Sequence, residues 1–253
     1  MHEEPYHPRR LGWIRAGIGA LILLRTTPLL APLHLWFLND TVPLLGWPTG
    51  GFSAAFLPIW VIQILCILRT LAAALFMLGL WTRASGLLTG ALGYLVAAQY
   101  PFGFFFTIHL LYESAMLLAL TDAGAAFALR PVPVRAPRSS YWLLRLFLAS
   151  IYAWAGLFKL RPDWLDGRTL ELFRQPLALH GALADLLLAT PSGRVFAATS
   201  VAVFEVAIGP LLVWHRTRRF AWPAAYLFHL VLEITARPDL LGWGMMVLLV
   251  CFI

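Results

Sequence analysis

Phe56–Leu80 reads FLPIWVIQILCILRTLAAALFMLGL, 25 residues with a single charge, Arg69. A hydrocarbon core about 30 Å thick is crossed by roughly 20 apolar residues of helix at ~1.5 Å each. This stretch is long enough. The rest of the chain repeats the pattern. Of 253 residues, 60% are hydrophobic and 12% charged, with mean hydropathy +0.78. A soluble domain carries roughly 25% charged residues. The composition therefore excludes a soluble globular protein. It predicts an all-α, polytopic integral membrane helical bundle in one domain, residues 1–253.

Eight apolar stretches are expected to span: Leu11–Leu30, Phe56–Leu80, Ala84–Ala98, Phe102–Leu120, Ser140–Leu160, Arg194–Val213, Phe220–Thr235 and Leu240–Ile253. The last stops on VLLVCFI with no polar flank, so either a longer or a trimmed chain is expected. MHEEPYHPRR carries acids and is followed by no small-residue cleavage site, so no removed signal peptide is predicted. Arginine bias sets the orientation. With the N-terminus in the cytoplasm, Arg9, Arg10, Arg83, Arg130, Arg135, Arg138, Arg216, Arg218 and Arg219 fall inside. Outside fall Arg161, Arg168, Arg174, Arg194 and Arg237, diluted by acids. Both termini are expected in the cytoplasm. Trp81, Trp142, Trp214 and Trp222 then form an inner aromatic belt, and Trp60, Trp164 and Trp243 an outer one.

The net charge of +7 is scattered between apolar runs and reads as topology, not as a nucleic-acid-binding face. Cys66 and Cys251 lie in apolar runs without metal or disulfide spacing and read as packing thiols. GIGA, GLLTG and AIGP read as close helix packing. Two outer segments are longer than turns. Ala31–Ala55 is rich in Pro, Gly and Trp. Arg161–Pro191 contains TLELFRQPLALHGALADLLL, an amphipathic stretch broken by Pro176 and Gly181 and expected at the membrane interface. It reads either as a connector or as a lid over an outward-facing pocket.

A charge at the centre of a membrane helix costs at least ~2.5 kcal/mol, so each needs a partner, a water-filled cavity or a function. Arg15 and Arg145 sit near inner helix ends and are expected to snorkel. Arg69 and Glu205 lie near mid-depth as a candidate pair. Arg25, His109, Lys159, His229 and Glu233 share the outer leaflet, which suggests a polar cavity opening outward. HLLYE and HLVLE place His109/Glu113 and His229/Glu233 four residues apart, each on one helix face. Three readings stay open: glutamates orienting histidines for proton transfer, structural interhelical bonds, or a metal site. Ile151–Gly167, IYAWAGLFKLRPDWLDG, holds Lys159. The chain has 18 arginines and this single lysine. Arginine-favouring codon usage accounts for the rarity. At this position, near a helix end, a basic residue reads as snorkelling to the interface.

YAWAGLFKLRPDWLDG resembles the Y-x-x-A-G-x-x-K-L-x-x-D-W-x-x-G signature of the vitamin K-dependent gamma-glutamyl carboxylase family, whose membrane portion is the HTTM (horizontally transferred transmembrane) domain. Tyr152, Ala155, Gly156, Lys159, Leu160, Asp163, Trp164 and Gly167 match. TIHLLYESAMLLALTDAG is similar to the family's histidine-bearing segment and places His109 on its functional histidine. FHLVLEI is similar to a later Phe-His helix and places His229. The R-x-G-x-G-x-L pattern at Arg15–Leu21 is also similar. The resemblance implies that the lysine is the base that deprotonates a reduced quinone, vitamin K hydroquinone or menaquinol. Dioxygen then adds, an epoxide forms, and a strongly basic alkoxide takes a proton from substrate glutamate, whose carbanion captures carbon dioxide. On this reading Lys159 is catalytic, with His109 and His229 stabilising the oxyanion or relaying protons. Arg25, Glu113, Glu233 and Trp164 would line the quinone site, with no metal. The site would face the periplasm or outer side. The large luminal domain that follows the membrane part in the full carboxylase has no counterpart up to Ile253. Protein glutamate recognised by the full carboxylase's scheme is therefore not expected, and the acceptor is expected to be another acid, a small peptide, or nothing. Two other classes stay open: a non-enzymatic membrane component binding a lipid or peptide, and a metal-dependent membrane oxidoreductase.

Overall fold

The computed structural model describes residues 7–26, 57–97, 106–135, 137–174, 179, 181–235 and 240–253. The Ala31–Ala55 segment lies outside them. The described chain is helical, in two compact units, Met1–Tyr141 and Trp142–Ile253. Within the described residues, each apolar stretch contains a helix. Three helices are long and apolar enough to cross a membrane: Trp60–Leu78, Ser139–Phe158 and Pro191–Val213. The other five are shorter or carry too many charges for that criterion by themselves.

The first unit holds α1 (Pro8–Thr26), α2 (Ile59–Leu78), α3 (Thr82–Ala97) and α4 (Phe106–Ala119). The opening stretch becomes α2 and presents Trp60, Ile64, Ile67, Leu68 and Leu71 outward, as a lipid-facing surface requires. Gly79 ends it at φ 73°. There Gly79 N–H donates to the Phe76 carbonyl (3.0 Å) and Leu80 N–H to the Leu75 carbonyl (2.9 Å), the left-handed cap that glycine adopts without strain. Helix α3 buries Thr82, Ser85, Gly86, Thr89, Gly90 and Gly93 on one face. A Cβ at Gly86 would come within 2.9 Å of the Ala115 carbonyl oxygen on α4, and one at Gly90 within 2.9 Å of that of Tyr112. GLLTG thus packs helix backbone on helix backbone, as the sequence suggested. GIGA does the same: a Cβ at Gly19 would meet the Met77 backbone at 2.8 Å.

Arg15 corrects an expectation. It does not snorkel: its side chain is fully buried. Its Nε donates to the Ala123 carbonyl (3.0 Å) and its Nη1 to those of Phe76 (2.6 Å) and Met77 (2.7 Å), while Nη2 donates to Phe127 O. The last carbonyls of a helix have no intrahelical donor. Arg15 supplies donors to the end of α2 and to the turn after α4 together.

The second unit contains α5 (Arg138–Phe158, entered from the first unit), three short helices α6 (Pro162–Leu165), α7 (Arg168–Arg174) and α8 (Ala182–Leu188), then α9 (Pro191–Val213), α10 (His215–Thr235) and α11 (Leu241–Leu249), closed by a 3-10 turn at Val250–Phe252. The predicted amphipathic stretch is α7 and α8. Its Leu170, Ala184 and Leu188 form a small core with Ala198 of α9, against which Trp164 packs. Leu172, Phe173, Leu183 and Leu186 remain exposed. Helix α9 starts on a Thr190 cap whose Oγ1 accepts from Gly193 N–H (3.1 Å), with Pro191 in the first turn. At its other end Arg218 donates to the carbonyls of Leu212 (2.9 Å) and Val213 (3.0 Å). One arginine of the HRTRR cluster thus caps a helix. Arg145 is also buried, against the snorkelling expectation, and donates from Nε to the Cys251 carbonyl (2.8 Å).

Candidate functional site

Helix α5 approaches α9 at two glycines. A Cβ at Gly156 would lie 2.6 Å from Val206 N and 3.0 Å from the carbonyl carbon of Glu205. One at Gly209 would lie 2.7 Å from the Ala149 carbonyl oxygen. The second is the AIGP glycine. These are backbone contacts, so neither helix can give way by a side-chain rotation. Gly156→Ala is expected to push the helices apart and cost about 2 kcal/mol, the usual range for overpacking. Thermal unfolding in detergent checks this, and an unchanged melting temperature would show that the contact is slack.

That crossing sets Lys159 against Glu205. Nζ lies 2.5 Å from Oε2, with side-chain exposures of 18% and 10%. Nζ also donates to the Ala155 carbonyl (3.3 Å) and stands 5.1 Å from the Trp164 ring centroid. Trp164 is fixed in turn: its Nε1–H donates to the Ala198 carbonyl of α9 (3.1 Å). Glu205 is therefore the partner of Lys159, and its expected pairing with Arg69 is set aside. Arg69 itself is buried in the first unit.

Two helical turns back on the same face of α5, Tyr152 Oη and His229 Nε2 share a hydrogen bond of 2.7 Å, both groups buried. The other ring nitrogen, Nδ1, is buried with no hydrogen-bond partner among the described residues. Tyrosine, not Glu233, thus orients His229. Glu233 packs at Gly242 of α11, where a Cβ would meet its Cγ at 2.8 Å. On the connector side, the Arg168 backbone N–H (3.0 Å) and guanidinium (2.5 Å) on the Asp166 carboxylate hold its carboxyl below the usual range.

His109, Glu113 and Arg25 belong to the first unit. His109 Nδ1 is 2.7 Å from Tyr94 Oη and 3.8 Å from Glu113 Oε1. Both half-exposed side chains lie on α4, and the glutamate does face its histidine here. Arg25 is half-buried near the end of α1. The structure thus brings Lys159, Trp164 and Glu205 together, and His229 with Tyr152. The sequence reading missed Tyr152 and Tyr94 as histidine partners and Glu205 as the lysine's. Tyr152 carried a signal, since it stands seven residues before Lys159 and shares its helix face. Among the described residues, no group of three or more His, Cys, Asp or Glu side chains could hold a metal ion.

The family model described as HTTM domain matches residues 4–253, across both units. No curated protein and no solved structure matches the chain.

Proposed function

The chain belongs to the HTTM domain family, and from that premise we propose that it is a membrane enzyme of the vitamin K-dependent carboxylase type, acting on a reduced quinone with Lys159 as the base. One observation carries this reading. The only lysine of the chain ends an apolar helix, largely shielded, between an indole ring and a buried carboxylate. A neutral amine in that setting can take a phenolic proton, which a guanidinium cannot. The bound quinol would supply the oxygen-dependent chemistry that ends in an epoxide. The residues around the amine fit an apolar ring: Trp164 beside Nζ, and Leu157, Phe158 and Leu160 exposed next to it in the chain. Tyr152, on the lysine's face of α5, and His229 of α10 are a proton-handling pair, and Glu233 tunes the electrostatics near α11. Within the first unit, Tyr94, His109 and Glu113 form a second proton-handling group, with Arg25 as a fixed positive charge.

The proposal includes eight spans, an interfacial α7–α8 segment, cytoplasmic termini and a lysine facing the periplasm or outer side. Dioxygen, carbon dioxide and a peptide or protein acceptor enter through the family relationship alone. The test uses purified protein in nanodiscs with menaquinol or vitamin K hydroquinone and dioxygen. Epoxide measured by chromatography is expected from native protein and not from heat-denatured protein. Folded protein that yields none with quinol in excess overturns the enzyme reading. The closed Lys159–Glu205 pair favours one rival, a non-enzymatic component that binds a lipid or peptide and uses the pair as a helix clamp. That rival predicts no turnover and full tolerance of Lys159→Arg. The metal-dependent alternative finds no ligand set among the described residues.

A further inference from the structure

Resting on the quinol reading for its catalytic meaning, we infer that Glu205 is the proton partner of Lys159, a positioning residue that takes the ammonium proton when an apolar substrate covers the pair. Glu205 is the only acid on α9, it is buried, and its carboxylate lies 2.5 Å from Nζ. The α5–α9 contact at Gly156 fixes its backbone against the helix that carries Lys159.

The tyrosine and the acids that neighbour Lys159 along the chain are committed elsewhere. Tyr152 bonds His229, exposed Asp163 pairs with Arg161 (3.6 Å), and Asp166 pairs with Arg168 (2.5 Å). Glu171 pairs with Arg194 at 2.7 Å. The Ala155 carbonyl can only accept.

The step is balanced. An Nζ–H bond breaks, its electron pair stays on nitrogen, and Oε2–H forms. Ammonium and carboxylate become amine and acid, so the pair carries no net charge before or after. Excluding water penalises separated charges most, and so favours the neutral form as the site is covered. The freed amine then accepts the substrate O–H proton. A lysine without this carboxylate would have to release its proton to bulk water first.

Because Lys159 is the only lysine, its Nζ is the one side-chain amine open to fluorodinitrobenzene, and peptide mass separates its adduct from those at the N-terminus and at Cys, Tyr or His. In nanodiscs without quinone at about pH 8, Glu205→Gln is expected to label about tenfold faster than wild type, because the carboxylate no longer holds the ammonium form. In turnover, wild type is expected to be nearly flat across neutral pH. Glu205→Gln should rise about tenfold per pH unit, because its amine must deprotonate to solvent. Glu205→Asp keeps the carboxylate and is expected to keep the flat profile at a lower rate, which preserves the comparison if the Gln variant does not fold. Equal labelling of folded wild type and Glu205→Gln, or identical pH profiles, overturns the inference. Tenfold labelling without any epoxide from wild type supports the proton pairing and removes the quinol reading instead.

Discussion

Lys159→Met is expected to lower epoxide formation about a thousandfold or more, within the range that a positioned general base contributes. Lys159→Arg is expected to lose as much. It keeps the charge, and the pairing with Glu205, but a guanidinium does not give up its proton. Stability separates the two variants. Lys159→Met strands a buried carboxylate, and breaking such a pair from one side costs about 3 kcal/mol. Lys159→Arg costs less. Lys159→Met combined with Glu205→Leu is expected to recover most of the lost stability and none of the activity. Thermal unfolding and epoxide yield on the same preparations therefore distinguish a base from a clamp. An active arginine variant would take the base role away from Lys159.

Arg15→Met is expected to produce the largest loss of stability in the first unit, about 4 kcal/mol or more. Its guanidinium donates to carbonyls of Phe76, Met77, Ala123 and Phe127. Phe76 O keeps the Gly79 N–H, and each other buried acceptor left without a donor costs about 1–3 kcal/mol, although relaxation and water entry reduce the sum. Arg15→Lys keeps the charge but lacks the planar fork, and about half that loss is expected. Unfolding in detergent measures both. Backbone hydrogen exchange should rise first at residues 120–129. A melting temperature equal to wild type in Arg15→Met would show that the carbonyls have other donors.

The sequence made part of this legible. Helix α2 follows from apolar length alone, and its end follows from Gly79. The seven-residue spacing of Tyr152 and Lys159 fixes their shared face. The choice of Lys159 over Arg69 as partner of Glu205 was not legible. It depends on Gly156 and Gly209 admitting one backbone against another, and glycine in a membrane helix marks a contact without naming the helix that fills it. The arginines failed for a related reason. Near a helix end, an arginine that reaches the interface and one that feeds a distant turn look alike in sequence. Only the tertiary return of Ala123 and Phe127 to Arg15, and of Cys251 to Arg145, separates them. The tyrosines holding both histidines were hidden because a phenol in an apolar run reads as packing.

The partners of α5 also impose an order in time. Lys159, Tyr152 and Arg145 follow one another down a single helix face. Their partners lie 46, 77 and 106 residues away along the chain. During synthesis the carboxylate for the lysine is made first, the histidine for the tyrosine second and the carbonyl for the arginine last. At about 5–20 residues per second, the Arg145 guanidinium waits roughly 5–20 s for its acceptor. The partners of helix α5 are thus made in order from its lysine end towards its arginine end. The partner that Lys159 needs is therefore in the chain before the one that Arg145 needs.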